Sequence, residues 1–120
     1  RLTGAPWPVH ERLMLAYKIL RGPEYAAFRS RGETAGSPAD LADGFIHLST
    51  GPQVAATLAR HFAGEQGLWL LAVPTGGLDA LRWEPSRAGA LFPHLYRALR
   101  AADVLWARPI PPEGAPEDLA

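Results

Sequence analysis

Two residues capable of acid–base and hydroxyl chemistry stand two positions apart in the segment Gly44–Thr50. In a β-strand, side chains two positions apart point to the same face, so the imidazole of His47 and the hydroxyl of Ser49 would share one space. Thr50 follows directly and Gln53 stands three residues later, a capping-box pattern that predicts a helix start. The free main-chain N–H groups of such a start suit an anionic group such as phosphate. The alternative is structural: a buried, hydrogen-bonded histidine and a Ser/Thr pair that only caps the helix.

A second segment, Arg82–Tyr96, is dense in aromatic, guanidinium and hydrogen-bonding side chains, and such segments often line binding sites. Its aromatic residues could stack on a base or ring, and its arginines could pair with phosphate. Glu84 or His94 could hold a hydroxyl group or move a proton. The aromatic residues and arginines are Trp83, Phe92, Tyr96, Arg82 and Arg87. The alternative is an ordered loop pinned over the core by its rings, with Glu84 in an ion pair with one of the arginines.

Other chemistries fit the sequence less well. A metal site built from His47, His61, His94 and Glu84 lacks a close spacing such as H-x-x-x-H, so we predict no metal. A twin His-x-Ser/Thr phosphodiesterase would need a second hydroxyl residue, but Tyr96 occupies that position. No G-x-S-x-G elbow and no Gly-rich phosphate loop is present. The absence of cysteine excludes disulfides, thiolate metal sites and thiol nucleophiles.

The elements that must position these residues follow from apolar runs and turn signals. A short helix is predicted at 23–32, a loop at 33–44, a longer helix from Thr50 to Gly64 and an irregular loop at 85–93. Strands are predicted at 13–20, 45–49, 68–73, 81–84 and 104–108. The run 68–73 is nearly all apolar, as expected of a central strand covered on both faces. This order predicts an α+β fold with a mainly antiparallel or mixed sheet and flanking helices.

Composition indicates one small soluble domain. The 120 residues are 48% apolar and 20% charged, as in average globular proteins. Twelve basic and twelve acidic residues cancel, so charge does not indicate a nucleic-acid partner. No apolar run approaches the roughly 18 residues of a membrane span, and we expect a cytoplasmic location without membrane contact. We expect an N-terminal extension over 1–12, the domain over 13–110 and an extended Pro- and acid-rich tail over 111–120.

The stretches GFIHLST and RWEPSRAGALFPHLY closely resemble a bacterial family labelled a domain of unknown function, number 952 in its series, over residues 16–109. The resemblance implies a compact fold similar to the ADP-ribosyltransferases, particularly the RNA 2′-phosphotransferases that consume NAD. In those enzymes a His-Leu-Ser strand runs into a helix, as His47 and Ser49 would here before Thr50. Lys18 is similar in place to a first-strand His or Arg that meets NAD, although lysine lacks the planar fork of arginine. No counterpart of the late-strand catalytic glutamate is evident.

The resemblance leads to the hypothesis of an NAD-utilising, ADP-ribosyltransferase-like enzyme whose substrate is a small-molecule nucleotide, with no covalently bound cofactor. The candidate catalytic residues are His47, Ser49, Glu84 and His94, and the candidate NAD-binding residues are Lys18, Thr50, Trp83, Arg87 and Tyr96. The alternative is a non-catalytic module that binds a nucleotide or a small phosphorylated metabolite, which the missing glutamate favours. A third interpretation is a structural or toxin-associated interaction domain. Release of free nicotinamide distinguishes the enzyme from the binder.

Overall fold

The computed structural model describes residues 14–86 and 88–119. The strands are β1 (Leu15–Leu20), β2 (Glu33–Thr34), β3 (Ile46–His47), β4 (Ser49–Thr50), β5 (Trp69–Pro74), β6 (Leu81–Pro85), β7 (Leu91–Leu95), β8 (Leu99–Arg100) and β9 (Trp106–Pro109). The helices are α1 (Gly22–Arg31), α2 (Pro38–Asp43) and α3 (Val54–His61), with 3₁₀ turns at Gly51–Gln53 and Ala101–Asp103. Every strand pairing in this part of the chain is antiparallel, which confirms the predicted α+β class and antiparallel sheet.

β1 and β5 form the centre of a four-stranded sheet with the order β4-β1-β5-β9. Their sequences are almost wholly apolar, as expected of strands that are covered on both faces. Alternate side chains of β1 therefore enter two different core clusters: Ala16 and Leu20 enter one, and Tyr17 and Ile19 the other. A fully buried residue of the size of Leu20 contributes roughly 1.5–3 kcal/mol to stability. Both core clusters of the domain therefore contain residues of β1 and β5.

A smaller sheet with the order β3-β7-β6 carries most of the chemistry-capable residues. Ile46 of β3 and Leu81 of β6 both lie opposite Leu95 of β7. Ile46 and Leu95 are fully buried, and Leu81 packs against the same cluster, so this face of the sheet covers the core. Side chains alternate between faces along each strand, so the neighbouring positions point away from the core. A two-stranded pair, β2 with β8, completes the antiparallel pairings.

The prediction of one strand over 45–49 is wrong, because the segment changes sheets in the middle. His47 in β3 pairs with β7, whereas Ser49 in β4 lies opposite Tyr17 of β1. Leu48 lies between the two strands, and its N–H donates to the carbonyl of Pro93 at 3.0 Å. The imidazole and the hydroxyl therefore do not lie on one face of one strand. Two-residue strands of this kind are set by their partners and not by local alternation.

Two predicted loops contain regular structure. Residues 33–44 include β2 and the six-residue helix α2, and residues 91–93 of the loop predicted at 85–93 belong to β7. The turn of the β6–β7 hairpin is confined to 86–90, where Ser86 N–H donates to Ala90 at 2.8 Å and Gly89 N–H donates to Ser86 at 2.9 Å. Pro93, which lacks an N–H, is tolerated inside β7 because it lies beyond the end of the short strand β3.

The second helix and the tail also differ in detail from the sequence-based expectation. Gln53 Oε1 accepts from the N–H of Thr50 at 2.9 Å, as the capping pattern predicts, but the first turn is 3₁₀ and α3 ends at His61, before Gly64. In the C-terminal segment, Ala115 and Leu119 pack against the core cluster that contains Tyr17. Within the described ranges, no helix has the length and apolar character needed to cross a bilayer.

Candidate functional site

The smaller sheet brings two predicted residues side by side on its outer face. His47 lies opposite His94, and Arg82 lies opposite the same histidine on the other side. Directly opposed residues in neighbouring strands point to the same face. The two imidazole centroids are 5.4 Å apart, with 69° between the ring planes. We call this surface the histidine face, and it comprises Phe45, His47, Arg82, Glu84, His94 and Tyr96.

The imidazole of His47 is held by the buried carboxylate of Asp40. The distance from His47 Nδ1 to Asp40 Oδ1 is 2.5 Å, and the main-chain N–H of His47 donates to the same oxygen at 3.0 Å. The other carboxylate oxygen, Oδ2, accepts from Ser37 N–H at 2.9 Å and from the ammonium group of Lys18 at 2.6 Å. A carboxylate bound at Nδ1 fixes the orientation of the ring and directs Nε2 elsewhere. Here Nε2 lies 3.0 Å from Oδ2 of the exposed Asp43.

Helix α2 positions Asp40 through reciprocal hydrogen bonds at its first turn. Ser37 Oγ accepts from the N–H of Asp40 at 3.2 Å, while Asp40 accepts from the N–H of Ser37, and Pro38 takes the first helical position. The helix ends at Gly44 with φ +84°, a left-handed conformation that favours glycine. Asp40 was not among the predicted site residues. The pattern Ser37-Pro38-x-Asp40 was the signal that could have found it.

The charges around Asp40 give Lys18 a structural role that differs from the predicted one. Burial raises the pKa of the Asp40 carboxyl, but the hydrogen bond from His47 and the positive charge of Lys18 outweigh burial and hold that pKa well below its ordinary value. Asp40 is therefore ionised at neutral pH. The Lys18 side chain is 6% exposed and that of Asp40 is 1% exposed, so the two form a buried ion pair. Lys18, a candidate NAD contact in the sequence analysis, lies in the structure as a counter-ion beneath the histidine face.

The second imidazole has a carboxylate partner of its own. His94 Nδ1 lies 2.8 Å from Glu84 Oε1, and the hydroxyl of Tyr96 donates to the same oxygen at 2.7 Å. The hydrogen bonds from Tyr96 and then from His94 lower the pKa of Glu84, and the bond to Glu84 raises the pKa of Tyr96. Three predicted site residues, Glu84, His94 and Tyr96, thus form one hydrogen-bonded group. No hydrogen bond joins His94 Nε2 to any residue that the structure describes.

Aromatic contacts connect the two histidines. The ring of Phe45 stacks on His94 with centroids 4.1 Å apart, and lies 4.6 Å from His47 and 5.2 Å from Tyr96. The guanidinium carbon of Arg82 lies 4.7 Å from the centroid of Tyr96, a cation–π distance. Phe45 was not among the predicted site residues, although it directly precedes the two-residue strand that carries His47.

Two residues expected beside His47 lie on other surfaces. The hydroxyl of Ser49 is buried and lies 2.9 Å from that of Thr57 on α3. Because Ser49 is paired with Tyr17, its side chain points to the face of the large sheet that α3 covers. Thr50 lies opposite Ala16 of β1 and is the N-cap of the 3₁₀ turn that follows.

Trp83, another predicted NAD-binding residue, is also separate from the cluster. Trp83 lies opposite Pro93, so its side chain points to the sheet face away from Arg82 and Glu84. Arg87 lies outside the described residues. The histidine face therefore keeps His47, Glu84, His94 and Tyr96 of the predicted set.

A hollow of about 230 Å³ adjoins the histidine face, and its walls include Asp40, Phe45, Tyr96 and Arg97. A larger hollow of about 460 Å³ lies between α3 and residues 110–115, away from every predicted site residue. We associate function with the histidine face, because ionisable side chains converge there, and two of its residues, Phe45 and Tyr96, also line the smaller hollow. No cluster of three or more His, Asp or Glu side chains within 14–86 and 88–119 is arranged to hold a metal ion.

This arrangement supports proton transfer and the binding of a polar ring. Each imidazole is oriented through Nδ1 by a carboxylate, which is the usual way in which proteins fix a histidine for acid–base work. His94 Nε2 is the nitrogen available to accept a proton. The carboxylates of the exposed Asp43 and the half-buried Glu84 lie beside His47 and His94 respectively, and they favour positive charge in a ligand or in a transition state.

The fold and the site together define a small antiparallel α+β domain with a pair of carboxylate-oriented histidines on one sheet face. The chain belongs to the family described as "Protein of unknown function (DUF952)", whose model matches residues 19–107.

Solved structures of CC0527 from Caulobacter crescentus are similar to this chain. Its crystal structure is 46% identical with a TM-score of 0.78, and the match covers 86% of this chain and 93% of that one. Its solution NMR structure is 46% identical with a TM-score of 0.73, covering 86% of this chain and 91% of that one. No curated protein sequence matches the chain significantly.

Proposed function

We propose that the domain has an ADP-ribosyltransferase-like fold, binds NAD at the histidine face and transfers its ADP-ribose group to an acceptor. The observation that carries the proposal is the convergence of His47, His94, Glu84 and Tyr96 around the ring of Phe45. The resemblance of GFIHLST to the His-Leu-Ser strand of NAD-consuming transferases supports the choice of ligand.

The charges of the site are consistent with this ligand. The nicotinamide ring of NAD is a cation, and the ribose becomes cation-like as the glycosidic bond breaks. The carboxylate of Glu84, which lies beside His94, stabilises positive charge that develops next to it. Arg82, which is exposed, takes the pyrophosphate role in place of the buried Lys18.

In the proposed reaction, the bond between the nicotinamide nitrogen and ribose C1′ breaks and its electron pair leaves with neutral nicotinamide. A new bond forms between C1′ and a heteroatom of the acceptor, whose proton passes to His94 Nε2. His47, fixed by Asp40, exchanges the exposed carboxylate of Asp43 for a ribose hydroxyl at its Nε2 and so orients the sugar. Most of the rate enhancement in such a site comes from orientation and charge stabilisation, because a cation-like sugar needs no strong nucleophile.

The test combines calorimetry with an assay for free nicotinamide. We expect the wild-type chain to bind NAD at millimolar ligand, and His47→Ala and His94→Ala each to weaken binding about tenfold through the loss of one or two hydrogen bonds. The matched control is His61→Ala, at the exposed end of α3, which should leave binding unchanged. An absence of NAD binding by the folded wild-type chain refutes the proposal.

A second candidate function is a non-catalytic module that binds a nucleotide or a small phosphorylated metabolite. It is favoured by Glu84, whose Oε1 already accepts hydrogen bonds from both His94 and Tyr96 and is less available to a substrate hydroxyl. The nicotinamide assay separates the candidates: NAD binding without nicotinamide release over many hours, with a range of acceptors, supports the binding module.

A further inference from the structure

Strand β6 is the outer strand of the smaller sheet, and within the described ranges β7 is its single partner. Two bonds of 2.8 Å set the hydrogen-bond alternation along this hairpin: Ser86 N–H to Ala90, and Tyr96 N–H to Ala80. By this alternation, residues 82 and 84 direct their main-chain groups to β7. Residues 81, 83 and 85 direct theirs to the open edge. An edge with unpaired N–H and C=O groups is a template for another strand.

The charged side chains of β6 would face opposite charges if two copies of this strand paired. Arg82 and Glu84 flank Trp83 on β6 and lie on the face opposite its indole. If a second β6 runs antiparallel with Trp83 as the central residue, each Arg82 lies directly opposite a Glu84. Opposite charges at facing positions stabilise an antiparallel pair, whereas like charges destabilise it. No other antiparallel register both places each Arg82 opposite a Glu84 and pairs the outward main-chain groups of Trp83.

We infer that two copies of the chain associate through their β6 strands around a twofold axis at Trp83, joining the two smaller sheets into one continuous sheet. The main-chain N–H and C=O of Trp83 exchange hydrogen bonds with those of the partner's Trp83. Leu81 N–H donates to the carbonyl of the partner's Pro85, which needs no N–H of its own for that bond. The same surface patch serves both subunits, as a twofold interface requires.

The exposed side chains along this edge fit an interface. Trp83 is 41% exposed and Leu91, which lies opposite Pro85 in the hairpin, is 54% exposed. Tryptophan is among the residues most often found at the energetic centre of an interface. A contact built on one five-residue strand is small, so we expect a weak and concentration-dependent dimer with a micromolar to millimolar dissociation constant.

The dimer would add a residue to each histidine face. Arg82 of the partner subunit would lie beside Glu84, next to His94 and Tyr96, so that each site holds guanidinium groups from both chains. This inference does not rest on the NAD proposal, because the edge and its charges are the same whichever ligand binds.

Sedimentation velocity over a range of concentrations up to about 1 mM tests the inference directly. We expect the wild-type chain to pass from monomer to dimer in that range. Arg82→Glu and Glu84→Arg alone should each weaken dimerisation roughly tenfold or more, because each creates two like-charge pairs. The double variant Arg82→Glu/Glu84→Arg restores both opposite-charge pairs and should recover dimerisation.

Trp83→Glu provides an independent measurement, because it places two carboxylates opposite each other across the twofold axis and should weaken dimerisation. The matched control is Leu105→Glu, at an apolar residue that is 60% exposed and lies outside β6. A wild-type chain that stays monomeric at the highest concentration overturns the inference. So does a dimer that both single charge reversals leave intact, or a folded double variant that dimerises no better than the single variants.

Discussion

Replacement of Asp40 by alanine tests the account of the buried ion pair beneath the histidine face. The substitution leaves the Lys18 ammonium, 6% exposed, with the carbonyl of His47 at 3.2 Å as its remaining hydrogen-bond partner, and it leaves the N–H of Ser37 without its acceptor. Removal of one member of a buried ion pair costs about 3–5 kcal/mol. A chain of this length is stable by roughly 6–18 kcal/mol, so the loss is a large part of the total.

Urea unfolding followed by tryptophan fluorescence measures this loss. We expect Asp40→Ala to lower the free energy of unfolding by about 3–5 kcal/mol. Lys18→Met combined with Asp40→Asn removes both charges and should lie within about 2 kcal/mol of wild type, because no unpaired charge remains buried. If Asp40→Ala changes the free energy by less than about 1 kcal/mol, the pair is not the buried interaction described above.

The pH dependence of the same measurement has a defined sign. The pKa of Asp40 is depressed in the folded state, so its contribution is present above the ordinary carboxyl pKa of 3.8 and is lost as pH falls through the folded-state value. The difference between wild type and Asp40→Ala should therefore be constant near neutrality and should narrow below about pH 4. A difference that grows with acidification contradicts the assignment.

Two further predictions concern the supports of the site. Gly36 and Gly44 both have positive φ, +100° and +84°, but a Cβ on Gly36 would lie 2.6 Å from Cβ of Asp40, whereas a Cβ on Gly44 meets nothing within 4 Å. Gly36→Ala should therefore destabilise the chain by roughly 1–3 kcal/mol more than Gly44→Ala in the same urea assay, and equal effects would show that no collision occurs. The hydrogen bond to Glu84 raises the pKa of Tyr96, so Glu84→Gln should lower that pKa. Phenolate absorbance should then appear at lower pH than in wild type or in the control variant Glu113→Gln. An unchanged alkaline titration would rule out the bond between Glu84 and Tyr96.

The sequence was sufficient for the elements whose own residues determine them. The runs that became β1 and β5 are apolar over six residues, with Lys18 of β1 as the exception, and burial of such runs on both faces leaves few alternatives to a central strand. The helix after Gly22 and the capping interaction of Thr50 with Gln53 are likewise local, because proline, glycine and the capping side chain act within one turn. The clustering of Glu84, His94 and Tyr96 was also predictable, because all three lie within the one segment Arg82–Tyr96.

Long-range pairing explains what the sequence left out. Alternation over residues 45–49 predicted a single face for His47 and Ser49, but the partners of the two residues, β7 and β1, come from distant segments. Helix α2 has six residues and an exposed Leu41, so it presents no apolar periodicity to detect. Lys18 sits in an apolar strand, and the carboxylate that compensates its charge is 22 residues away. Such an ion pair becomes visible when the fold places both side chains in one pocket.

The crossing at Leu48 makes the two sheets mechanically continuous. A ligand that displaces the imidazole of His47 pulls on a chain whose next side-chain anchor, two residues on, is the hydroxyl of Ser49 against Thr57 of α3, at 2.9 Å. The N–H of Leu48 donates to Pro93 between these two residues, so the segment cannot move at His47 without also moving at Ser49. A ligand at the histidine face should therefore change amide hydrogen exchange in α3, although no residue of α3 belongs to that face.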